Sequence, residues 1–346
     1  MMLVDLFCVQ PYMRPHDYYT PEAFQHRVAR YFSQADAMRQ THRPALIVFP
    51  EDIATFLLMA GHQDTLAGTH TMDAAFRAIG QKKFLALLGT MGRFQTLSMR
   101  RAFFTLGAAQ VWRIWYTSMA ELARQYHMTV VAGSALLPDN RWPYPTHQYQ
   151  PKNSRIYNLS ITIDPKGDII YYTRKVNLVP TQEDQLDLTP GSLTDAQRIV
   201  FLPTTQIPLA TAICYDGFCR PHTDQEPDFV NVLEALDRQG AKLVAQPSAN
   251  PWWWNEPWPL ERTGQSRLRS VQWDEEGSLA ALQQCQNIEI IVNPQLQLEF
   301  LDLHFDGQSR ILARHGAQVE ILAASEFTRG PEADTVLHAV WDFSTT

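Results

Sequence analysis

Features that mark secreted, metal-binding and membrane-spanning proteins are scarce in this sequence. The 346 residues include only four cysteines, Cys8, Cys214, Cys219 and Cys285, which are too few for a disulfide scaffold and are not paired with histidines at a zinc-like spacing. In the apolar region 57–125, the longest run without a charged residue has 11 residues, whereas a membrane span needs about 20. We therefore predict no bound metal, no organic cofactor and no bilayer-spanning segment.

A positive net charge is also absent. The formal net charge is −7 and the sequence pI is about 5.9, which argues against nucleic acid as a partner. The first residues, Met-Met-Leu-Val-Asp, lack the basic start of a secretory signal, so we expect a cytoplasmic protein. The segment 82–120 is the exception, because it has six basic residues and no Asp or Glu. Since that segment carries +6, the remainder of the chain carries −13.

Apolar periodicity predicts a layered α/β fold. Thr20, Pro21 and Glu22 form a helix-start signal before an amphipathic helix over 21–41. Helices alternate with strands in both halves of the chain, and a turn at 164–168 separates the two strands of a hairpin. The predicted strands are 2–9, 45–49, 128–137, 157–163, 169–172, 208–213, 243–246, 288–292, 309–313 and 336–341.

Three reactive side chains follow predicted strands. Glu51 ends Ala-Leu-Ile-Val-Phe-Pro-Glu, Lys175 ends Asp-Ile-Ile-Tyr-Tyr-Thr-Arg-Lys, and Cys214 ends Ala-Thr-Ala-Ile-Cys. Strand ends of layered α/β folds commonly form the ligand site. A carboxylate, an ammonium and a thiol at one sheet edge predict cysteine-based acyl chemistry. We expect a helix that begins just after Cys214, together with Lys175, to favour the reactive thiolate.

The order and spacing of these motifs resemble the nitrilase, or carbon–nitrogen hydrolase, superfamily. The three motifs are Phe49-Pro50-Glu51, Arg174-Lys175 and Cys214-Tyr215-Asp216, and Glu183 lies eight residues after the lysine, as a second glutamate often does in that family. The resemblance implies a four-layer αββα sandwich. It implies a single domain over 1–346 with an apolar, basic helical insertion at about 57–125, and a homodimer or higher homo-oligomer.

The resemblance also implies roles for individual residues. Cys214 attacks an amide, Glu51 transfers protons, and Lys175 holds the oxyanion. Glu183 supports the lysine, and the backbone N–H of Tyr215 assists at the oxyanion. The residues expected to bind substrate lie around the cysteine turn and the loop after the next strand: Asp216, Ser248, Asn250 and Trp252. The run of tryptophans that begins at Trp252 is either a wall of an apolar acyl pocket or an anchor in the core or in a dimer.

The insertion leaves three interpretations open. Its helices either pack on the domain or in an oligomer interface, or cover a long apolar substrate as a lid. Alternatively, the basic, acid-free segment 82–120 binds reversibly to an anionic membrane surface, which would make the protein peripheral.

Three functions are compatible with the sequence. The first is hydrolysis of a linear amide, because Asp216 after Cys-Tyr resembles amidase branches of the superfamily. The second is transfer of the same thioester-bound acyl group to an amine, which the apolar insertion makes credible for a lipid-like substrate. The third is a catalytically silent scaffold that uses its tryptophan-rich surface to bind a partner.

Overall fold

The structure is a computed structural model that describes residues 2–40, 43–144, 148–183, 185–261, 264 and 266–343. The strands are β1 Leu3–Gln10, β2 Tyr12–Met13, β3 Ala45–Val48, β4 Thr129–Pro138, β5 Ile156–Ile163, β6 Ile169–Arg174, β7 Val200–Phe201, β8 Pro208–Thr211, β9 Leu243–Ala245, β10 Ile290–Asn293, β11 Gln297–Phe300, β12 Leu303–Phe305, β13 Arg310–His315, β14 Gln318–Ala324 and β15 Thr335–Asp342. The α-helices are α1 Pro21–Met38, α2 Gln63–Leu66, α3 Met72–Lys82, α4 Phe84–Phe94, α5 Met99–Tyr126, α6 Leu193–Ala196, α7 Val232–Arg238, α8 Arg269–Glu276 and α9 Ser278–Gln284.

Two mixed six-stranded sheets form the centre of the molecule. The first has the order β15-β1-β3-β4-β5-β6, and the second has the order β14-β13-β10-β9-β8-β7. Each sheet contains three neighbouring strands that run parallel. These are β1, β3 and β4 in the first sheet, and β8, β9 and β10 in the second. All four residues of β3 are buried, which agrees with its uniformly apolar sequence and its central place.

The two sheets pack face to face because their strands alternate. On β1, Val4 and Leu6 join the cluster of side chains between the sheets, whereas Phe7 and Val9 join the cluster beneath the helices. This is the period of two that a strand buried on both faces requires. Partners from the second sheet in the inter-sheet cluster include Leu243.

Helices cover the two outer faces. The α1 helix begins as the sequence predicts, with the Thr20 hydroxyl accepting a hydrogen bond from the Ala23 N–H at 3.1 Å and with a proline in its first turn. The α1 and α5 helices pack on the first sheet, and α7 and α9 pack on the second. The layers are therefore α, β, β and α, and the predicted four-layer sandwich is confirmed.

The region 57–125 divides into two parts. The α5 helix buries Trp112 and Trp115 in the core, so it belongs to an outer layer of the sandwich. The helices α3 and α4 lie outside the four layers: they pack on each other, and α4 packs on α5. Within the described residues, no helix is both long enough and apolar enough to span a bilayer.

Candidate active site

A buried lysine lies between two carboxylates at the carboxyl ends of the first sheet's strands. The Lys175 ammonium, just after β6, lies 2.8 Å from Glu51 Oε1 and 2.6 Å from Glu183 Oε2. Burial alone would lower the pKa of Lys175, but the carboxylates of Glu183 and Glu51 outweigh it and raise that pKa well above its usual value. Lys175 is therefore an ammonium ion at neutral pH.

The Glu51 carboxylate is held by hydrogen bonds on both oxygens. Besides Lys175, Oε1 accepts a bond from Asn158 Nδ2 at 2.8 Å, and Oε2 accepts one from the Ala249 N–H at 2.9 Å. Burial raises the pKa of Glu51, and the Lys175 charge opposes that effect. The thiol of Cys214 is close enough to lower the pKa of Glu51 through a hydrogen bond. Glu51 is thus an oriented carboxylate with enhanced basicity.

Asn158 is a central residue that the sequence analysis missed. Its Nδ2 also donates to Glu183 Oε1 at 3.2 Å, and its backbone carbonyl accepts the Lys175 N–H at 2.9 Å. A single residue thus holds both carboxylates through its side chain and the backbone of the lysine through its own backbone carbonyl. The only signal in the sequence is a polar amide within the otherwise apolar start of β5, next to the strand that carries the lysine.

Cys214 lies on a sharp turn after β8. Its φ of 47° is left-handed, which costs on the order of 1–3 kcal/mol for a residue other than glycine. The turn is held by the Cys214 N–H donating to the Pro247 carbonyl at 2.7 Å and by Gln246 Nε2 donating to the Cys214 carbonyl at 2.9 Å. Gly217 is required here, because a Cβ at that position would lie 2.0 Å from Gln246 Nε2.

One expectation for the cysteine is wrong, and another is met only in part. Residues 214–217 form one turn of 3₁₀ helix, and the next α-helix begins only at Val232, so no α-helix N-terminus lies at the thiol. Burial raises the pKa of the Cys214 thiol, the Glu51 charge adds to this effect, and Lys175 opposes it without reversing it. The resting group is therefore a thiol that needs a base, and its Sγ lies 3.7 Å from the Ala249 carbonyl oxygen.

Ala249 links the nucleophile and the base through its main chain alone. Its N–H binds Glu51, and its carbonyl receives the Cys214 thiol. Its neighbours on either side, Ser248 and Asn250, were expected to bind substrate because the segment resembles the pocket loop of the family. Because both contacts of Ala249 use backbone atoms, the residue type at this position does not reveal its role.

The four residues predicted to bind substrate are engaged with other protein groups. The Ser248 hydroxyl accepts a bond from Asn293 Nδ2 at 2.8 Å, and Asn250 Oδ1 accepts one from Arg269 Nε at 2.8 Å. The Arg269 guanidinium lies 4.9 Å from the ring centroid of Trp252. The side chains of Ser248, Asn250 and Trp252 do not line the cavity described below. They support the loop that carries Ala249, because their polar and aromatic groups are occupied within the protein.

Asp216 and Tyr215 brace the cysteine turn. The Asp216 carboxylate accepts hydrogen bonds from the backbone N–H groups of Val176 and Asn177 at 2.8–3.2 Å, so it ties the turn to the residues that follow Lys175. Burial raises the pKa of Asp216 to about 7, and these hydrogen bonds oppose the rise. The Tyr215 hydroxyl donates to Glu226 Oε2 at 2.7 Å, so its side chain anchors a different loop. The geometry favours a positioning role for Asp216 over the predicted contact with substrate.

A cavity of about 830 Å³ ends at the carboxylate–lysine cluster. Its polar end is formed by Glu51, Lys175 and Glu183, beside Ala249; Cys214 does not line it directly but contacts the Ala249 carbonyl. The walls are mainly aromatic and aliphatic, with Phe56, Leu58, Met59, Met72, Phe76, Phe84, Leu87, Met99, Phe103, Phe104, Leu136, Val179, Leu186, Leu303 and Phe305 among the lining residues. Helices α3, α4 and α5 therefore supply much of the apolar wall.

The site contains the groups that acyl chemistry needs. Across the described parts of the chain, no three His, Cys, Asp or Glu side chains are grouped so that they could hold a metal. A thiol, a base and a fixed cation provide the nucleophile, the proton acceptor and the oxyanion partner that such chemistry needs.

The fold is similar to that of solved amidase structures. A glutamate-to-glutamine mutant of the amidase from Nesterenkonia sp. AN1, with acrylamide added to its active-site cysteine, has a TM-score of 0.51 at 16% identity, over 99% of this chain and 93% of that chain. A cysteine-to-alanine mutant of the same enzyme has a TM-score of 0.54 at 15% identity, over 98% and 90%. A carbon–nitrogen hydrolase from Helicobacter pylori G27 has a TM-score of 0.56 at 13% identity, over 98% and 89%.

No curated protein matches the sequence. A family model, described as Carbon-nitrogen hydrolase, matches residues 13–222. This range is more than half of the chain and includes Glu51, Lys175 and Cys214. The chain therefore belongs to the carbon–nitrogen hydrolase family.

Proposed function

We propose that the protein hydrolyses an amide that has an apolar acyl group, through a thioester on Cys214. The observation that carries this proposal is the fixed Lys175 ammonium, 2.8 Å from Glu51 and 2.6 Å from Glu183, at the polar end of an apolar cavity of about 830 Å³. A short amide would not need such walls, whereas a chain of several methylenes gains binding energy from them.

The first half of the reaction forms the thioester. Glu51 accepts the proton of the Cys214 thiol as sulfur attacks the amide carbon and a C–S bond forms. The carbonyl electron pair moves to oxygen, where the Lys175 ammonium and the Tyr215 N–H stabilise the oxyanion. Glu51 then returns the proton to the amide nitrogen, the C–N bond breaks, and ammonia or an amine leaves.

The second half restores the enzyme. Glu51 takes a proton from water, and the resulting hydroxide attacks the thioester carbon. The C–S bond breaks, a carboxylic acid leaves, and Cys214 recovers its proton from Glu51. Burial raises the pKa of Glu51, which makes it a stronger base than an ordinary carboxylate, and it also raises the pKa of Cys214, which makes the thiol a weaker acid than an ordinary one.

Similar proteins support the role of the cysteine. In the Nesterenkonia amidase, a glutamate-to-glutamine mutant shows covalent addition of the acetamide moiety of fluoroacetamide at the active-site cysteine. We infer that Glu51 and Cys214 hold the corresponding positions here, so a Glu51→Gln variant should trap an adduct in the same way.

Intact-mass spectrometry tests the proposal. The Glu51→Gln variant is mixed with fluoroacetamide and with straight-chain amides of increasing length, and Cys214→Ala in the same background is the matched control. We expect an adduct on the first variant only, and release of ammonia and free acid by the wild type. An adduct that persists in the Cys214→Ala control, or no ammonia release from any amide, would contradict the assignment.

Acyl transfer is the second candidate, favoured by the apolar walls of the cavity, because acyl transfer needs a thioester protected from water. It predicts that an added amine captures the acyl group and that turnover depends on the amine concentration. Rapid formation of free acid with no dependence on the amine would rule it out.

A further inference from the structure

The α4 helix is apolar but mostly unpacked. Of its 11 residues only Leu87 is buried, whereas Leu85 is 82% exposed and Phe84 is 50% exposed. Just beyond its C-terminus, Leu97 is 97% exposed and Met99 is 48% exposed. We call Phe84, Leu85, Leu88, Leu97 and Met99 the apolar face.

These residues are clustered. Thirteen large hydrophobic side chains are exposed in the described residues, and five of them belong to the apolar face, within 16 positions of the chain. Scattered exposed side chains are ordinary, but a contiguous apolar patch marks a surface that binds something.

The apolar face is surrounded by positive charge. Lys82, Lys83, Arg93 and Arg100 flank or interrupt it, and 82–120 contains no Asp or Glu. In the part of the chain that the structure describes, no carboxylate forms an ion pair with Lys83 or Arg93. Segment 82–100 of a chain with net charge −7 therefore combines cationic and apolar side chains. Asp73 and Asp302, from other segments, line the neighbouring cavity.

The cavity opens at this surface. Phe84 and Met99 of the apolar face line the cavity and are exposed to solvent, so the apolar face forms part of the rim of its mouth. Exposed polar residues of other segments, including Asp73 and Arg77, also line the cavity. The other end of the cavity is the Glu51–Lys175 cluster. A chain that entered through the apolar face would reach the reactive groups without crossing bulk water.

We propose that the apolar face docks on an anionic lipid surface, from which an amide with a long hydrocarbon chain enters the cavity; the second part rests on the proposed function. Leu85 and Leu97 insert among the acyl chains while Lys83 and Arg93 contact anionic headgroups. At 1.5 Å per residue, α4 is about 16 Å long, too short to cross a bilayer and suited to lying in its interface.

A second copy of this chain is a less suitable occupant. In a two-fold dimer the same patch meets itself, so Lys83 and Arg93 would approach their own copies with no acid in 82–120 to offset them. An anionic bilayer satisfies both the apolar side chains and the cations at once.

Vesicle sedimentation tests docking without relying on turnover. The inactive Cys214→Ala protein is mixed with vesicles of phosphatidylcholine alone, or with about one-third phosphatidylglycerol, at low and high salt. We expect pelleting with the anionic vesicles at low salt and release at high salt, since the Debye length falls from about 10 Å to about 3 Å between 0.1 and 1 M. Docking at equal strength to uncharged vesicles would overturn the electrostatic part of the proposal.

Matched variants locate the surface. The Leu85→Ser, Leu97→Ser double variant should weaken vesicle binding more than tenfold, and Arg93→Gln should weaken it roughly fivefold. The controls are Phe201→Ser, at a 57% exposed side chain on β7, and Lys166→Gln, in the turn of the β5–β6 hairpin; both should bind as well as the parent. Because every substituted side chain is exposed, a thermal melt should show that each variant remains folded.

Two further results would overturn the proposal. One is that the protein stays in the supernatant with anionic vesicles at low salt. The other is that the double variant changes a dimer into a monomer in light scattering while vesicle binding is unchanged, which would assign the face to contact between copies. If amide hydrolysis fails but anionic vesicles still bind, only the proposed function is refuted.

Discussion

The apolar cavity predicts a steep dependence of catalysis on acyl chain length. Burial of one methylene contributes about 0.8 kcal/mol, which is a factor of roughly four in kcat/KM if the contact is kept in the transition state. The cavity of about 830 Å³ has room for on the order of 25 groups of about 30 Å³ each, the volume of a water molecule. From a two-carbon to an eight-carbon amide, kcat/KM should therefore rise on the order of 10³-fold.

Gly80 offers a way to shorten the cavity without disturbing the fold. It lines the cavity from the interior of α3, and a Cβ at this position would lie 3.6 Å from Leu87 Cδ1, an ordinary contact. A leucine there also improves helix propensity by nearly 1 kcal/mol. We expect Gly80→Leu to lower kcat/KM for the eight-carbon amide by about 10–100-fold, the loss of two or three methylenes, and to leave the two-carbon amide unaffected.

The control is Gly89→Leu. Gly89 lies in α4, it does not line the cavity, and no heavy atom is within 4 Å of a Cβ built there. Initial rates of ammonia release across the amide series, with wild type and both variants, provide the comparison. A flat chain-length profile in the wild type, or equal effects of the two glycine substitutions, would refute the argument that the cavity holds the acyl chain.

Three further predictions concern the polar end of the site. Because burial raises the pKa of the Cys214 thiol, iodoacetamide should label Cys214 faster at neutral pH when Glu51 can accept its proton. Glu51→Gln should slow labelling about 10²–10⁴-fold without abolishing it, as followed by peptide mass spectrometry, and an unchanged rate would contradict this. Asn158→Ala removes the bonds to both Glu51 and Glu183; it should lower kcat at least tenfold with a smaller change in KM, and cost about 1–3 kcal/mol in urea unfolding. The folded-state pKa of Asp216 is raised to about 7, so the folded protein keeps a proton that the unfolded chain releases near pH 4. Stability should therefore fall as the pH rises from about 4 to about 7, and this decline should be smaller in Asp216→Asn; identical profiles would show that Asp216 does not titrate in this range.

The layered fold follows from local patterns in the sequence. Uniformly apolar segments such as Ala45–Val48 became central strands, and the Thr20–Pro21 signal became the start of α1. The first pattern reflects burial and the second reflects helix capping, and each can be recognised from a few consecutive residues. Glu51 and Lys175 follow β3 and β6 of the first sheet, whose carboxyl ends share one edge. Cys214 follows β8 of the second sheet, so the expectation that all three side chains lie at one sheet edge is wrong.

What the sequence did not predict depends on long-range contacts. Asn158 reaches Glu51 across 107 positions of the chain, and Ala249 reaches it across 198. The family resemblance pointed to the loop around Ser248, but it did not indicate that the backbone N–H of Ala249 binds Glu51. The pKa of Cys214 likewise depends on its burial in the folded protein, so residue types alone could not predict whether Cys214 is a thiol or a thiolate.

The two main-chain contacts of Ala249 have a consequence for redesign. Both the bond to Glu51 and the contact with Cys214 use backbone atoms, and Ala249 is one of the residues that line the cavity. A larger or smaller side chain at this position changes the space beside the reacting carbon without removing either contact. Position 249 is therefore a suitable first target for a saturation library intended to alter selectivity while the reaction chemistry is preserved.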